Sequence, residues 1–596
     1  MRPAPARPAS SPAPAARTGA ALVTALLVTG VLMLLGVGFL NLSATEVQIA
    51  ANQRQADQAL FLAEAGLAQA VRDLVYDLNF KQAAGVRPSW RYNADAGEPA
   101  GRVLNAPPRL AWDEDSRRPV PAPALALDLT QAGRAAPPPP QYLDSDLKRR
   151  GKLDWFAQPW VRVPYPNTTL GNPDRGTLGS YRVDLLSESS SPNRIYVRVA
   201  GETARGRARV VLRGELEAAD LSPWNTAAYV GGSLHGGKPV PGTLVLRGSA
   251  YVRGAAALGN SAHLYNNYSD GRGAPAPDAI LVGKLPPLPD GSLRGTLRVR
   301  GDLSMSGASS IGLPEEGGDP VKQTMDGIYV TGSISTPAGA LYADRLGSRV
   351  PDVPPPSLLD HHTRLDAQAG TGRVRGAAGG TEAERAMSLY REDAGGAVLN
   401  DATARILGIE KDGGCFRISH STPSFVLGNP GNRVIYDQAA SLLTFEGAGP
   451  RGEGVLAFVD GCLKVHLRGS LQYRNTGTLV VNGDVRLEGE RGGGALYAAD
   501  TYPIPHSLGV VARDDITFDG SPGSRYLGAF FAGGRIQVRR EIILGGALVA
   551  ADELRPERAT HLYQVPALVS NLPPGMPGGG AQWMLIALSW REMLEQ

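Results

Sequence analysis

Two cysteines, eight histidines and a set of regularly spaced arginines are the residues of this 596-residue sequence with chemistry to offer. Cys415 and Cys462 open two similar segments, Gly414-Cys-Phe-Arg-Ile and Gly461-Cys-Leu-Lys-Val. Outside the reducing cytoplasm such a pair reads as a disulfide joining neighbouring strands. Two buried thiols are the alternative, and a metal would need more ligands than two sulfurs. Gly232-Ser-Leu-His-Gly-Gly237-Lys238 has the spacing of a phosphate-binding loop. Pro239, however, stands where a magnesium-binding Ser or Thr belongs, and no helical pattern follows. Asp360-His361-His362 offers ligand atoms, but adjacent histidines in a polar stretch are usually solvated. No metal site, cofactor or catalytic constellation is therefore expected, and the chain does not read as an enzyme. An extracellular carbohydrate-active β-helix enzyme is the alternative, and it would need carboxylates gathered in one groove.

The arginines suggest phosphate binding. Arg247 and Arg253 lie on one strand-like segment, and Arg294, Arg298 and Arg300 lie on or beside a similar one. Arg298 and Arg300 differ by two and so share a face of a strand. Arg247 aligns with Arg300 when the segments are superposed, so stacking would build a ladder of guanidinium groups. Arg535, Arg539 and Arg540 form a second cluster. Such contacts to a nucleic-acid backbone are independent of sequence, and Tyr251 and Tyr473 would add base stacking. A solvated outer face is the bland alternative, and Asp302 and Glu488 in similar segments dilute the charge.

The elements that position these residues follow from composition. There are 74 Gly and 47 Pro, about one residue in five, against 6% aromatics, which excludes a helix bundle and favours turn-rich β architecture. The length allows two to four domains. The net charge of +3 resides in Arg2, Arg7 and Arg17 near the amino terminus, so the body is formally neutral and has no strong field for nucleic acid.

A proline-rich, basic leader precedes an uncharged apolar run from Ala20 to Leu42. As a helix this run is about 35 Å long, enough to cross a bilayer with its amino end in the cytoplasm. A soluble core helix and a cleaved secretory signal are the rivals; the run is too long for the signal, and no A-x-A-type site follows. The helical pattern continues, with Leu60, Ala63, Leu67, Val71, Leu74 and Leu78 marking one amphipathic face.

The segments Arg17-Thr-Gly-Ala-Ala-Leu-Val-Thr-Ala-Leu-Leu, Glu46-Val-Gln-Ile-Ala-Ala-Asn-Gln-Arg54 and Ala59-Leu-Phe-Leu-Ala-Glu-Ala-Gly-Leu67 resemble the amino terminus of PilX-type minor pilins, over residues 17–80. The resemblance implies cleavage by a prepilin peptidase after Gly19, with Ala20 as the first mature and usually methylated residue. Its other implied partners are major and minor pilins and an inner-membrane assembly platform. Major pilins carry a glutamate as the fifth mature residue, and Thr24 stands there in this chain. A buried carboxylate without a partner is costly in lipid, so its loss suits a subunit at the leading end of a filament.

Beyond a proline-rich loop region, the stretches around Tyr181–Leu185, Ile195–Val199 and Ala208–Leu212 alternate like three antiparallel strands with one wet face. Then the sequence repeats. Gly242-Thr-Leu-Val-Leu-Arg-Gly, Gly295-Thr-Leu-Arg-Val-Arg-Gly and Gly477-Thr-Leu-Val-Val-Asn-Gly each open a 13-residue unit that also ends in glycine. Two short strands joined at a glycine corner make one rung of a β-solenoid, with Pro-rich stretches around 350–385 and 570–580 as caps or excursions. The expected fold is therefore an α+β pilin-like module carrying a large inserted all-β β-solenoid, with a β-sandwich as the alternative to the solenoid. The expected divisions are a leader (1–19), a transmembrane half-helix (20–42), an amphipathic half-helix (43–80), a pilin-like head (81–220), the insertion (221–570) and a return strand (571–596). This arrangement resembles competence-associated minor pilins, which implies a single-pass inner-membrane prepilin that moves to an extracellular pilus tip and captures extracellular DNA in natural transformation. The alternatives are a structural or adhesive tip subunit that primes assembly, or a type II secretion pseudopilin.

Overall fold

The computed structural model describes residues 18–83, 110–113, 118–121, 156–157, 161–164, 177–188, 191–204, 206, 208–259, 261–269, 278–288, 291–314, 322–362, 380–449, 454–490, 493–579 and 583–593. Most of the leader and most of the proline-rich region lie outside them. The chain divides into two compact units. One comprises residues 1–74, 89–216 and 589–596, and the other residues 75–88 and 217–588.

In the first unit, helix α1 (Thr18–Ala83) is continuous. Its early apolar side chains, Leu22 to Leu42, are all exposed, and its apolar window is wholly unburied with a mean hydropathy of 2.4. The later part is covered by an antiparallel sheet of Phe156–Ala157, Thr177–Glu188, Ser191–Thr203, Arg209–Asp220 and Trp583–Met593, in that order. The buried face of α1 is Ala59, Leu62, Ala63, Gly66, Ala70 and Leu74. Leu60, Leu67 and Val71, expected at its centre, are only half-buried flanks. Small residues decide the rotation because they let backbones approach. A Cβ added at Gly201 would lie 2.2 Å from the Ala59 carbonyl oxygen, and one at Gly66 would lie 2.5 Å from the Tyr181 ring. The sheet has no simple wet face either. Asp184 and Arg198, expected in water, are 1% and 5% exposed and form a cross-strand ion pair. Their mutual hydrogen bonds are what make burying two charges tolerable.

In the second unit, nine coils among the described residues stack through parallel strand pairs. A full coil uses three strands and two corners, as in Thr296–Val299, Leu303–Met305 and Ser310–Ile311. The spatial order differs from chain order. Coils 228–247, 250–265, 296–311 and 327–341 stack outward in one direction. Coils 455–474, 476–498, 507–526, 529–544 and 547–564 come in from the other end. The last coil then pairs with the first, with Leu548 level with Ala228 and Thr560 level with Leu244. Entry and exit of the unit therefore meet in mid-stack. A sandwich would pair its strands antiparallel; among the described strands of the stack, antiparallel pairs are confined to the end elements Glu410–Ser419 and Phe425–Gly447.

The glycines act by permitting close approach at one corner. Gly232, Gly254, Gly301 and Gly332 are joined by Gly254 N–H to Gly232, Gly301 N–H to Gly254 and Gly332 N–H to Gly301 carbonyl bonds of 2.6, 3.0 and 3.2 Å. A Cβ at Gly301 would lie 2.6 Å from Gly254 backbone atoms. The described parts of the Pro-rich stretches, 350–362 and 570–579, are excursions that strap along the coils rather than end caps. Tyr251 and Tyr229 donate to the carbonyls of Pro351 and Val353, so this strap runs back past two coils. The other strap receives Trp224 Nε1–H at Pro577 (2.8 Å), and the Thr478 hydroxyl donates to Pro574. Aligning apolar rows over so many coils removes most of the strands' nonpolar surface from water, which is the main stabilising term of such a stack.

Candidate nucleic-acid interface

Some of the candidate arginines are buried, although they alternate with the residues that line the coil interior, Leu244 and Leu246 beside Arg247 and Leu297 beside Arg298. Arg247 is 1% exposed and lies level with Tyr265 and Tyr563, its guanidinium carbon 5.5 and 4.7 Å from the two ring centroids. Arg298 is 8% exposed, level with Tyr251 and Tyr329, and 5.1 Å from the Tyr329 centroid. Aromatic faces hold these cations by their quadrupoles where water is excluded. Neither residue belongs to a surface ladder, and Arg247 is not level with Arg300. The sequence alignment fails because a repeat is two strands long and a coil is three. The Gly242 copy starts on a coil's third side and ends on the next coil's first, whereas the Gly295 copy starts on a first side.

Arg253 and Arg300 remain at the surface but converge on one carboxylate. Asp352 of the first strap lies 2.7 Å from Arg253 and 2.6 Å from Arg300. The Arg253 guanidinium bonded to it holds the Asp352 carboxyl below the usual carboxylate range. Arg294 is exposed and held at a positive φ of 51°. Arg535, Arg539 and Arg540 are all exposed. Arg535 pairs with Asp515 at 3.0 Å, Arg540 with Asp519 at 3.6 Å, and Arg539 donates to Gln537. These three form the most open basic group among the sequence candidates.

The aromatic candidates are also buried. Tyr251 is 3% exposed and Tyr473 fully buried, donating to Leu527. Burial pushes both hydroxyls up, so they stay protonated donors and offer no face to a base.

Cys415 and Cys462 are joined by a disulfide that ties Cys415–Ser419 to the coil strand Leu463–Leu467, which pairs with it in parallel. Gly19, Ala20 and Thr24 all lie on α1, and Thr24 is exposed. Asp352 and Asp393 are the site residues that sequence reasoning missed. Asp352 follows Pro351 in a stretch read only as cap or excursion, and Asp393 lies beyond His361 and His362 on a separate helix, with no local pattern linking them.

No curated protein matches this chain. The crystal structure of the competence-associated pilin ComZ from Thermus thermophilus is similar over 91% of this chain and 98% of that chain, with 15% identity and a TM-score of 0.41. Over residues 18–68, the exposed apolar helix and the start of its sheet-facing continuation, the chain matches the family model described as PilX N-terminal.

Proposed function

We propose that this chain is a minor subunit of a type IV pilus-like filament, processed after Gly19, whose β-coil unit takes hold of DNA outside the cell. The observation that carries the pilin reading is α1 itself. Its stretch up to Leu42 carries no charged side chain and leaves its apolar side chains exposed, and its later part is covered by an antiparallel sheet. A helix half-covered in this way needs lipid first and neighbouring helices afterwards. Major and minor pilins, a prepilin peptidase and an inner-membrane assembly platform are the partners this reading requires. Thr24 in place of a carboxylate fits a position at the filament tip. Co-expressed with a prepilin peptidase, the chain is expected to lose residues 1–19, read as the mass of the mature protein. A Gly19→Leu variant is expected to stay full length; a wild-type chain that also stays full length would refute the reading.

For DNA the exposed group Arg535, Arg539 and Arg540 is the contact we assign. Replacing Arg539 and Arg540 by alanine is expected to reduce the salt slope of DNA binding by about 2, one per lost phosphate contact. The measurement is a gel shift of the detergent-solubilised chain across a salt series. An unchanged slope counts against the assignment. A second reading, a structural or adhesive tip subunit, is favoured by the burial of Arg247 and Arg298 and by Asp352 offsetting part of the charge of Arg253 and Arg300. It expects no shift at any salt concentration but lost filaments on deletion. A type II secretion pseudopilin shares that expectation about DNA and is separated by assaying secretion in the deletion strain.

A further inference from the structure

His361 and His362 are not solvated. They are 3% and 1% exposed, at the end of the strap that runs back along the coils. Facing them is Asp393, 7% exposed, in the last turn of helix α2 (Glu382–Ala394). One donor atom from each of the three residues lies within 4.8 Å of the other two. His362 Nδ1 is 3.2 Å from Asp393 Oδ2, yet neither ring nitrogen of His362 makes a hydrogen bond. Two groups that close, and not aligned as donor and acceptor, are placed like ligands of one ion. With zinc–ligand bonds of about 2.0–2.1 Å, tetrahedral ligand atoms sit about 3.3 Å apart.

The surroundings hold the three groups in place. The Tyr390 ring packs against both imidazoles, stacked on His361 at 5.8 Å and meeting His362 edge-on at 4.4 Å, while the imidazoles meet each other edge-on at 5.1 Å. Tyr390 is itself fixed by a 2.6 Å bond from its hydroxyl to the Gly575 carbonyl of the second strap. Thr381 and Glu384 form a capping box that sets where α2 begins, and hence where Asp393 falls. A carboxylate at the negative end of a helix, nearly out of water, is opposed by the macrodipole and by desolvation. A cation shared with two imidazoles removes both penalties.

We propose that His361, His362 and Asp393 bind one divalent transition-metal ion, zinc by the character of the donors, and that the ion fastens the strap to α2. Two imidazole nitrogens with one carboxylate suit zinc and its neighbours in the first transition row. They do not suit magnesium or calcium, which take oxygen ligands. The burial of all three residues points to a fastening role.

The test uses the full chain in detergent, stripped with a chelator and dialysed, then titrated with zinc in a calorimeter. One equivalent should bind and raise the unfolding midpoint. His362→Gln and Asp393→Asn should each weaken binding at least 100-fold and abolish the rise. Cobalt titrated into the wild-type chain supplies a readout that needs no variant. Ligand-field bands of tetrahedral intensity, saturating at one equivalent and bleached by zinc, support the site. Their absence overturns it, as does zinc uptake unaltered in both variants or lacking in the wild type.

Discussion

Gly201→Val is expected to detach α1 from its sheet. The position has an ordinary backbone conformation, so the effect is one of space alone. A Cβ there would lie 2.2 Å from the Ala59 carbonyl oxygen and 2.5 Å from the Ala63 nitrogen. Neither atom can move without the helix, because both are backbone. Overpacking a well-packed core costs about 1–3 kcal/mol when side chains can yield, and a clash with main chain belongs at or beyond the upper end. We expect a loss of about 3 kcal/mol. It should appear as accelerated amide exchange in Ser191–Thr203 and as failure to enter filaments. Gly431→Ala is the matched control, since nothing lies within 4 Å of its added Cβ. Surface changes of that kind stay within about 0.5 kcal/mol. Equal exchange in the two variants would show that the helix is not seated through Gly201.

The same glycine shows what the sequence could and could not reveal. A long helix with an apolar first half was legible because lipid and core packing impose the same demand on every turn, so a simple pattern survives. The rotation of its second half was not. The larger residues Leu60, Leu67 and Val71 outweigh Ala59, Gly66 and Ala70 on any hydropathy scale, yet close backbone approach selects the small ones. Likewise, short strands and glycine corners in the second unit were legible from the 13-residue copies, whereas the face of the coil on which each copy begins was not. That phase decides which residues an arginine lies level with, two tyrosines in the case of Arg247 rather than Arg300. The strap residues Asp352 and His362 were opaque for another reason. Their partners, Arg253 and Arg300 for the first and Asp393 for the second, come from other coils or helices that no local periodicity brings near.

The cystine is the other place where one change should have a large effect. Cys415 and Cys462 are 47 residues apart, and the segment they enclose includes the two antiparallel hairpins formed by strands Phe425–Asn429, Asn432–Asp437 and Leu442–Gly447. Those strands stand at one end of the stack, where coil 455–474 would otherwise present unpaired N–H and C=O groups. In the chain-entropy picture, closing a loop of this length stabilises the folded state by about 4 kcal/mol, by restricting the unfolded chain. The double replacement Cys415→Ser and Cys462→Ser should therefore lower stability by about that amount under oxidising conditions and leave it unchanged under reducing ones. Hydrogen exchange locates the loss. Amides of Cys415–Ser419 and the hairpins should open first, while strands in mid-stack such as Ser524–Ala532 and Ile542–Ala550 keep their protection, because each pairs with a coil on both sides. Stability that falls by less than 1 kcal/mol, or exchange that rises evenly along the stack, would mean that the hairpins hold this end of the coils without the covalent tie.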